Sequence, residues 1–192
     1  TRHHAEFLSA LLNDSKIKSA AIYGTMDQDL RSSSLARFAR GSIKCLIVTD
    51  VAARGLDIEG LELVVNYDFP ERPKVFLHRA GRAGRAGKEG KVISFVTQDE
   101  LPYYCGAKEA LEEENRQWTL KRVSAFDVQD QNTTVESALK RNFELSVLKK
   151  GMEDGEKMYV KSRKKAKPQW LTAAKEIQIE GGASDVLEEK LR

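Results

Sequence analysis

The sequence has little cysteine, no long apolar run and almost no net charge. Its two cysteines, Cys45 and Cys105, are too few for a disulfide framework and too far apart for a zinc knuckle, which favours a reducing, intracellular setting. No apolar run is long enough to span a membrane, so we expect a soluble protein without a membrane partner. The net charge of +3, from 32 basic and 29 acidic residues, does not by itself indicate a polyanionic partner.

A signal-peptide pattern and an initiating methionine are also lacking, since the chain starts at Thr1. The chain begins directly with a helical pattern, as if the strand that would precede this helix were missing. We therefore interpret the chain as a fragment. Its 192 residues suffice for one compact domain with an appendage.

Residues 1–100 alternate between amphipathic helical stretches and short apolar runs rich in β-branched residues. Such alternation is typical of a parallel sheet covered by helices and predicts an α/β fold. Helices are expected over 27–40 and 74–83. The predicted strands lie within the runs 19–24, 44–50, 61–68 and 91–97.

Beyond Thr97 the pattern changes to helices, and we predict no further strand. The main domain is assigned to residues 1–123, with its core at about 1–100. A polar stretch over 124–134 is predicted to be a linker, with Thr134 or a neighbour capping the next helix. A mostly α-helical extension follows over 135–180, and 181–192 is predicted to be a flexible tail.

The segment HRAGRAGRAG, residues 78–87, alternates glycine and arginine. Glycine lets the backbone approach a ligand closely, and arginine offers a permanently charged planar fork that matches phosphate oxygens. The segment therefore indicates an anion site. Taken alone, it is also compatible with a solvated basic turn.

Upstream, VTDVAARGLDIEG (48–60) contains a buried strand that ends at Thr49 and Asp50. Ligands of open α/β sheets bind where strands end at their carboxyl edge. Each polar residue here also has a structural interpretation, as a helix cap or a surface charge. The order of the two segments favours the ligand-site interpretation.

Together, GTMDQDLRSSSLARF, VTDVAARGLDI and HRAGRAGR resemble the C-terminal motifs of superfamily-two helicases, over about residues 1–100. His78 favours the DEAD-box branch, because DEAH-box, viral and chromatin-remodelling relatives usually carry glutamine there. Ala80 and Ala83 depart from the usual Ile and Thr and leave the arginines intact. The resemblance implies a RecA-like parallel sheet flanked by helices, in the second domain of an ATP-dependent RNA helicase.

The resemblance also implies roles at a composite ATP site. Arg82 and Arg85 resemble arginine fingers that reach the γ-phosphate across an interdomain cleft. Asp57, after Gly55, resembles the contact to the ATP ribose, and His78 the residue that couples to the first domain. Arg54 and Arg79 are interpreted as interdomain braces.

The sequence contains no GxxxxGK[ST] loop and no DEAD segment. The ligands of Mg²⁺, which accompanies ATP, are therefore expected in the N-terminal RecA-like domain, a partner of this one. We expect no metal site in this chain and no ATP hydrolysis by it alone.

On the RNA side, Gln28 and Arg31 follow Gly24 with a spacing that puts them on one helix face. This face, with Thr49 at its strand end, resembles the family's contact to the RNA backbone. Such contacts position a strand without selecting its sequence.

A basic run, KMYVKSRKKAK (157–167), predicts an auxiliary RNA patch. Its alternative is a solvated helix face balanced by nearby acidic residues. The predicted patch consists of Lys161, Arg163, Lys164, Lys165 and Lys167.

The segments TRHH, DELPYY, YVKSR and AAKEI resemble a nucleolar DEAD-box branch that acts in large ribosomal subunit assembly. This implies a nuclear, nucleolar location and pre-ribosomal particles as partners. Two other functions stay open: a DNA-directed superfamily-two motor, and an RNA-binding adaptor that has lost catalysis.

Overall fold

The computed structural model describes residues 1–54, 56, 58, 60–84, 89–112, 118–123, 125–177 and 187–191. The chain divides into two compact units, Thr1–Leu56 with Asp130–Arg163 and Asp57–Gln129 with Lys164–Arg192. None of the helices in these residues combines the length and the apolar character that a membrane crossing requires.

The first unit alternates helices and strands in the predicted order. Its elements are α1 (Arg2–Asp14), β1 (Ser19–Ile22), α2 (Gln28–Ala39), β2 (Cys45–Val48) and α3 (Asp50–Ala53). The two strands pair in parallel, with Ser19 opposite Cys45 and Ile22 opposite Val48. Because parallel strands share a direction, the segments that follow β1 and β2 emerge at the same edge.

Helix α7 (Phe143–Ser162) packs against α1, and Gly155 on α7 allows their close approach. A Cβ atom at Gly155 would lie 3.3 Å from both His3 Cδ2 and Thr1 Oγ1. The buried His4 ring joins the same helices, with Nε2 3.2 Å from Glu156 Oε2 and Nδ1 2.7 Å from Thr1 Oγ1. This part of the predicted extension therefore belongs to the first unit.

The strands of the second unit are β3 (Leu63–Asn66), β4 (Lys91–Val96), β5 (Trp118–Arg122) and β6 (Leu187–Leu191). They form a four-stranded sheet in the order β3-β4-β6-β5, in which β3 and β4 are parallel and β6 is antiparallel to both neighbours. Its core includes stacked Phe69 and Phe76 rings with centroids 5.5 Å apart. The helices of this unit include α4 (Pro73–Ala80), α5 (Leu101–Glu112) and α8 (Pro168–Glu176).

Trp170 on α8 fits against a glycine on α5. Its side chain is buried, and its Nε1 donates a hydrogen bond to Glu109 Oε2 at 2.9 Å. A Cβ atom at Gly106 would lie 2.4 Å from Trp170 Cε2, so the indole occupies the space that any other residue would fill. Trp170 is therefore a packing residue, and α8 forms part of this unit's core.

The α/β prediction is confirmed for residues 1–100, but the prediction of no strand beyond Thr97 is wrong. WTLKR in β5 does alternate apolar and polar residues, a signal hidden by the helical pattern before it. LEEKL in β6 carries no strand signal of its own. It becomes a strand because β4 and β5 pair with its backbone on both sides, a long-range interaction that overrides local propensity.

The predicted linker and tail also need correction. Residues 125–134 belong to α6 (Ala125–Arg141), and Asn142, not Thr134, caps the next helix by accepting from Glu144 N at 3.1 Å. Within this stretch a hydroxyl bonds back to the helix backbone, since Thr134 Oγ1 donates to Asp130 O at 3.3 Å. Within the predicted tail, 187–191 form β6, whereas 181–186 and 192 lie outside the described residues.

Candidate functional site

The carboxyl edge of β1 and β2 brings Gly24 and Thr49 together in the first unit. Thr49 N donates to Ile22 O at 3.1 Å, which extends the parallel pairing to the ends of the strands. A Cβ atom at Gly24 would lie 3.1 Å from Val51 Cγ1, so glycine keeps this turn close to the residues that follow β2. Thr49 precedes α3 without capping it through its side chain, which leaves its hydroxyl available for a ligand.

Helix α2 begins at the same edge and carries Gln28 and Arg31 on its first turn. Asp27 caps it by accepting from Asp29 N at 2.8 Å. Gln28 is exposed, and Arg31 is half-buried with its Nη2 3.4 Å from Tyr23 O. The Nε atom of Arg31 is buried and has no hydrogen-bond partner in the described part of the chain. The predicted Gln28, Arg31, Gly24 and Thr49 are thus neighbours at one edge.

Tyr23, which sequence reasoning missed, lies between two arginines at this edge. Arg31 contacts its carbonyl, and the Arg2 guanidinium lies 4.8 Å from the centroid of its ring. Arg2 Nε also donates to Glu6 Oε1 at 2.8 Å. Burial is the main cause that raises the pKa of Tyr23, and a hydrogen bond with Glu6 is the second, so the phenol stays protonated at neutral pH. The sequence offers one signal that Tyr23 belongs to this edge, which is its position directly before Gly24.

In the second unit, Arg79 holds α4 against β3. Its Nη1 donates to Asn66 Oδ1 at 3.1 Å and to Asp68 O at 2.8 Å. The buried Asn66 is itself fixed by donating from Nδ2 to Ser94 Oγ at 2.9 Å. Arg79 therefore braces two elements of its own unit, a role that the sequence did not predict.

Arg82 differs from Arg79 in its side chain, which has no partner among the described residues, although its backbone is held by hydrogen bonds. Its N donates to Arg79 O and its O accepts from Leu61 N, both at 3.1 Å. The side chain is half-buried and makes no hydrogen bond or ion pair with the residues that the structure describes. A permanently charged guanidinium on a rigid backbone can bind an anion without first breaking an internal contact.

The remaining predicted ATP-site residues contribute less to the geometry. His78 lies exposed near the end of α4, four residues before Arg82. Gly55, Asp57 and Arg85 lie outside the described residues. Among the residues described, no group of three or more His, Cys, Asp or Glu side chains could hold a metal ion.

The five residues of the predicted auxiliary patch do not lie in one unit. Lys161 is exposed near the end of α7, and Arg163 is half-buried with Cζ 5.7 Å from the centroid of Tyr159. Both belong to the first unit, whereas Lys164, Lys165 and Lys167 belong to the second and are exposed.

Comparison with known proteins gives one consistent assignment. Residues 1–87 match the family described as the helicase conserved C-terminal domain. The chain is 36% identical over 195 residues to the ATP-dependent RNA helicase DDX54 of Mus musculus, covering 93% of this chain and 22% of that protein. It thus spans about a fifth of the length of the curated relatives it matches.

Solved structures agree with this assignment. The C-terminal domain of the DEAD-box protein Dbp5 matches at 31% identity and a TM-score of 0.55, covering 59% of this chain and 67% of that one. Domain 2 of the DEAD-box helicase Mss116p, solved with an RNA duplex, matches at 31% identity and a TM-score of 0.52, covering 58% and 44%. The chain belongs to the DEAD-box helicase family and contains its RecA-like C-terminal domain.

Proposed function

We propose that this chain is the second half of an ATP-dependent RNA helicase, which couples ATP hydrolysis to RNA unwinding or to ribonucleoprotein remodelling. The observation that carries the proposal is the contrast between two arginines of one motif. Arg79 is bound inside its unit, whereas Arg82 has a fixed backbone and no described partner for its side chain. Arg82 thus has the chemistry expected of a group that stabilises charge on a phosphate.

The residues present fit ATP. Arg82 supplies a half-buried cation on a rigid backbone, and Arg85, Asp57 and Gly55 are assigned to the same site by the motifs that contain them. When bound, ATP with Mg²⁺ supplies the phosphoryl group whose hydrolysis drives the cycle. We assign the Mg²⁺ ligands to the N-terminal RecA-like domain. The role of Arg82 and Arg85 is to place positive charge at the γ-phosphate, and that of His78 is to couple the two domains.

The edge formed by Gly24, Gln28, Arg31 and Thr49 is assigned to the RNA backbone. It offers the cation of Arg31, the amide of Gln28 and the hydroxyl of Thr49. These groups lie next to the turn at Gly24, which packs closely against Val51. Such groups contact phosphate and ribose, and they position a strand whatever its sequence. Arg2 and Glu6 fix Tyr23 and so hold this turn in place.

RNA binding by the purified chain tests this assignment through two substitutions on the same face. Arg31→Ala should weaken binding of a labelled uridine 20-mer and flatten the slope of log affinity against log salt by about 0.7. Gln28→Ala should weaken binding with no change of slope, because it removes no charge. The measurement is fluorescence anisotropy across a potassium chloride series.

Arg37→Ala is the matched control, since Arg37 is exposed on the last turn of the same helix and should leave affinity and slope unchanged. If Arg37→Ala had the same effect as Arg31→Ala, binding would depend on overall charge and the edge would not be the RNA site.

A DNA-directed motor and a catalytically silent adaptor are the alternatives. A 20-mer of deoxyuridine in the same assay addresses the first, since a motor that acts on RNA should bind the ribose form more tightly through its 2′-hydroxyls. Intact Arg82, Arg85 and Asp57 argue against the second.

We further assign the full-length protein to ribosome assembly, in the nucleus and nucleolus, with pre-ribosomal particles as partners. The support is that similarity to DDX54 covers 93% of the chain and so includes the C-terminal segments, whereas the Dbp5 match covers 59%. Co-sedimentation of the full-length protein with pre-ribosomal particles tests this assignment, and its complete absence from them would contradict it.

A further inference from the structure

The segment that joins α7 to α8 is held rigidly in the second unit. Lys164 N donates to Glu71 Oε2 at 2.7 Å, and Lys164 O accepts from the Tyr103 hydroxyl at 2.6 Å. Ala166 packs against the core that contains Tyr103. At the other end, Lys167 O accepts from Trp170 N at 3.0 Å, at the start of α8. Folding therefore orders this backbone before any ligand arrives.

Three lysines project from this rigid segment without neutralising partners. The side chains of Lys164, Lys165 and Lys167 are exposed, and none has a carboxylate within ion-pair distance among the described residues. Lys157 and Lys149, by contrast, are paired with Asp154 at 3.0 Å and Glu153 at 3.4 Å. The three lysines, which we call the lysine ledge, thus concentrate positive charge that no carboxylate in the described residues pairs with.

Glu71 is the carboxylate bound to this segment, and its oxygens are already engaged. One accepts from Lys164 N, and the other accepts from Arg72 Nε at 3.2 Å. Lys167 Nζ lies 4.9 Å from the centroid of the Trp170 ring, a cation–π contact that does not engage all three N–H donors of the ammonium group. The lysine ammonium groups therefore keep donors for an external anion.

We propose that the lysine ledge binds the phosphate backbone of single-stranded RNA, as a second contact separate from the edge that contains Arg31. This inference rests on the proposed RNA function. It narrows the predicted patch, because Lys161 and Arg163 belong to the other unit and Arg163 is half-buried over Tyr159.

A nucleic-acid backbone fits the ledge better than a protein partner does. Protein interfaces depend on buried apolar or aromatic anchors, and the ledge offers none: Ala166 faces the core and Trp170 is buried. Phosphates require only positive charge and hydrogen-bond donors, which the lysines supply. Because no exposed aromatic ring lies within the segment 164–167, the contact reads no bases and tolerates any sequence.

The test compares two triple variants of the purified 192-residue chain. Replacing Lys164, Lys165 and Lys167 with Gln should weaken binding of the uridine 20-mer and flatten the salt slope by roughly 2, from about 0.7 for each lost contact. The control replaces Lys44, Lys140 and Lys175, which are also exposed, and changes the net charge equally. It should leave the slope unchanged. Both variants should unfold at the same temperature as the unsubstituted chain, since only exposed side-chain ends change.

Each other outcome overturns the inference in a recognisable way. If the unsubstituted chain binds no RNA, the proposed RNA function and the ledge both fail. If it binds RNA and the ledge variant keeps the full slope, only the ledge fails. A polyglutamate peptide serves as a second probe. Loss of peptide binding by the ledge variant, with an unchanged RNA slope, would identify the ledge as a protein-binding surface and contradict the RNA proposal.

Discussion

Arg82→Ala in the full-length protein is expected to lower RNA-stimulated ATP turnover by about 10³- to 10⁵-fold, with little change in ATP affinity. An arginine finger acts where charge develops in the transition state, so its loss affects turnover more than ground-state binding. Arg82→Lys should rescue poorly, because an ammonium lacks the planar fork. The measurement is steady-state ATP hydrolysis at saturating RNA, together with the affinity for ATP.

Arg79→Ala is the informative control, because it removes an arginine from the same motif that has structural partners. It would leave Asn66 Oδ1 and Asp68 O without their donors, at a cost of about 1.5–3 kcal/mol for each hydrogen bond to a charged group. We therefore expect Arg79→Ala to reduce stability and Arg82→Ala to preserve it. Near-normal turnover by Arg82→Ala would refute the assigned role.

Trp170→Ala is expected to destabilise the second unit by about 3–5 kcal/mol, because it empties a large buried site. Gly106→Ala should cost about 1–3 kcal/mol through overpacking, since its new methyl group would overlap the indole. Both values are measured by urea unfolding of the purified chain.

The double variant reveals whether the two residues act through one contact. If the overlap with Trp170 causes the cost of Gly106→Ala, that cost should disappear once Trp170 is already alanine. Fully additive effects would mean that Gly106 is required for another reason. Such a result would also weaken the conclusion that α8 completes the core through this contact.

Much of the first hundred residues could be predicted because local signals agreed with tertiary structure. Short apolar runs rich in β-branched residues predicted β1 to β4, and the spacing of Gln28 and Arg31 predicted that both lie on one face of α2. Parallel pairing then explains why Thr49 lies beside Gly24. The site at this edge was therefore accessible from the sequence, apart from Tyr23 and Arg2, whose contact joins separate elements.

The later residues were less predictable because distant contacts decide their conformation. LEEKL becomes a strand through pairing on both sides, and the polar residues 125–134 are helical without an apolar stripe strong enough to reveal it. The different roles of Arg79 and Arg82 were also hidden, since the two residues look alike in the motif. Only the positions of Asn66 and Asp68 distinguish them.

ATP hydrolysis by the purified 192-residue chain, compared with that of the full-length protein, tests the central claim most directly. Both are assayed with Mg²⁺, with and without RNA. We predict no turnover above background by the chain alone, because the phosphate-binding loop and Mg²⁺ ligands are assigned to another domain, and RNA-stimulated turnover by the full-length protein. Mg²⁺-dependent turnover by a pure preparation of this chain alone would contradict the claim that it supplies one half of a composite active site.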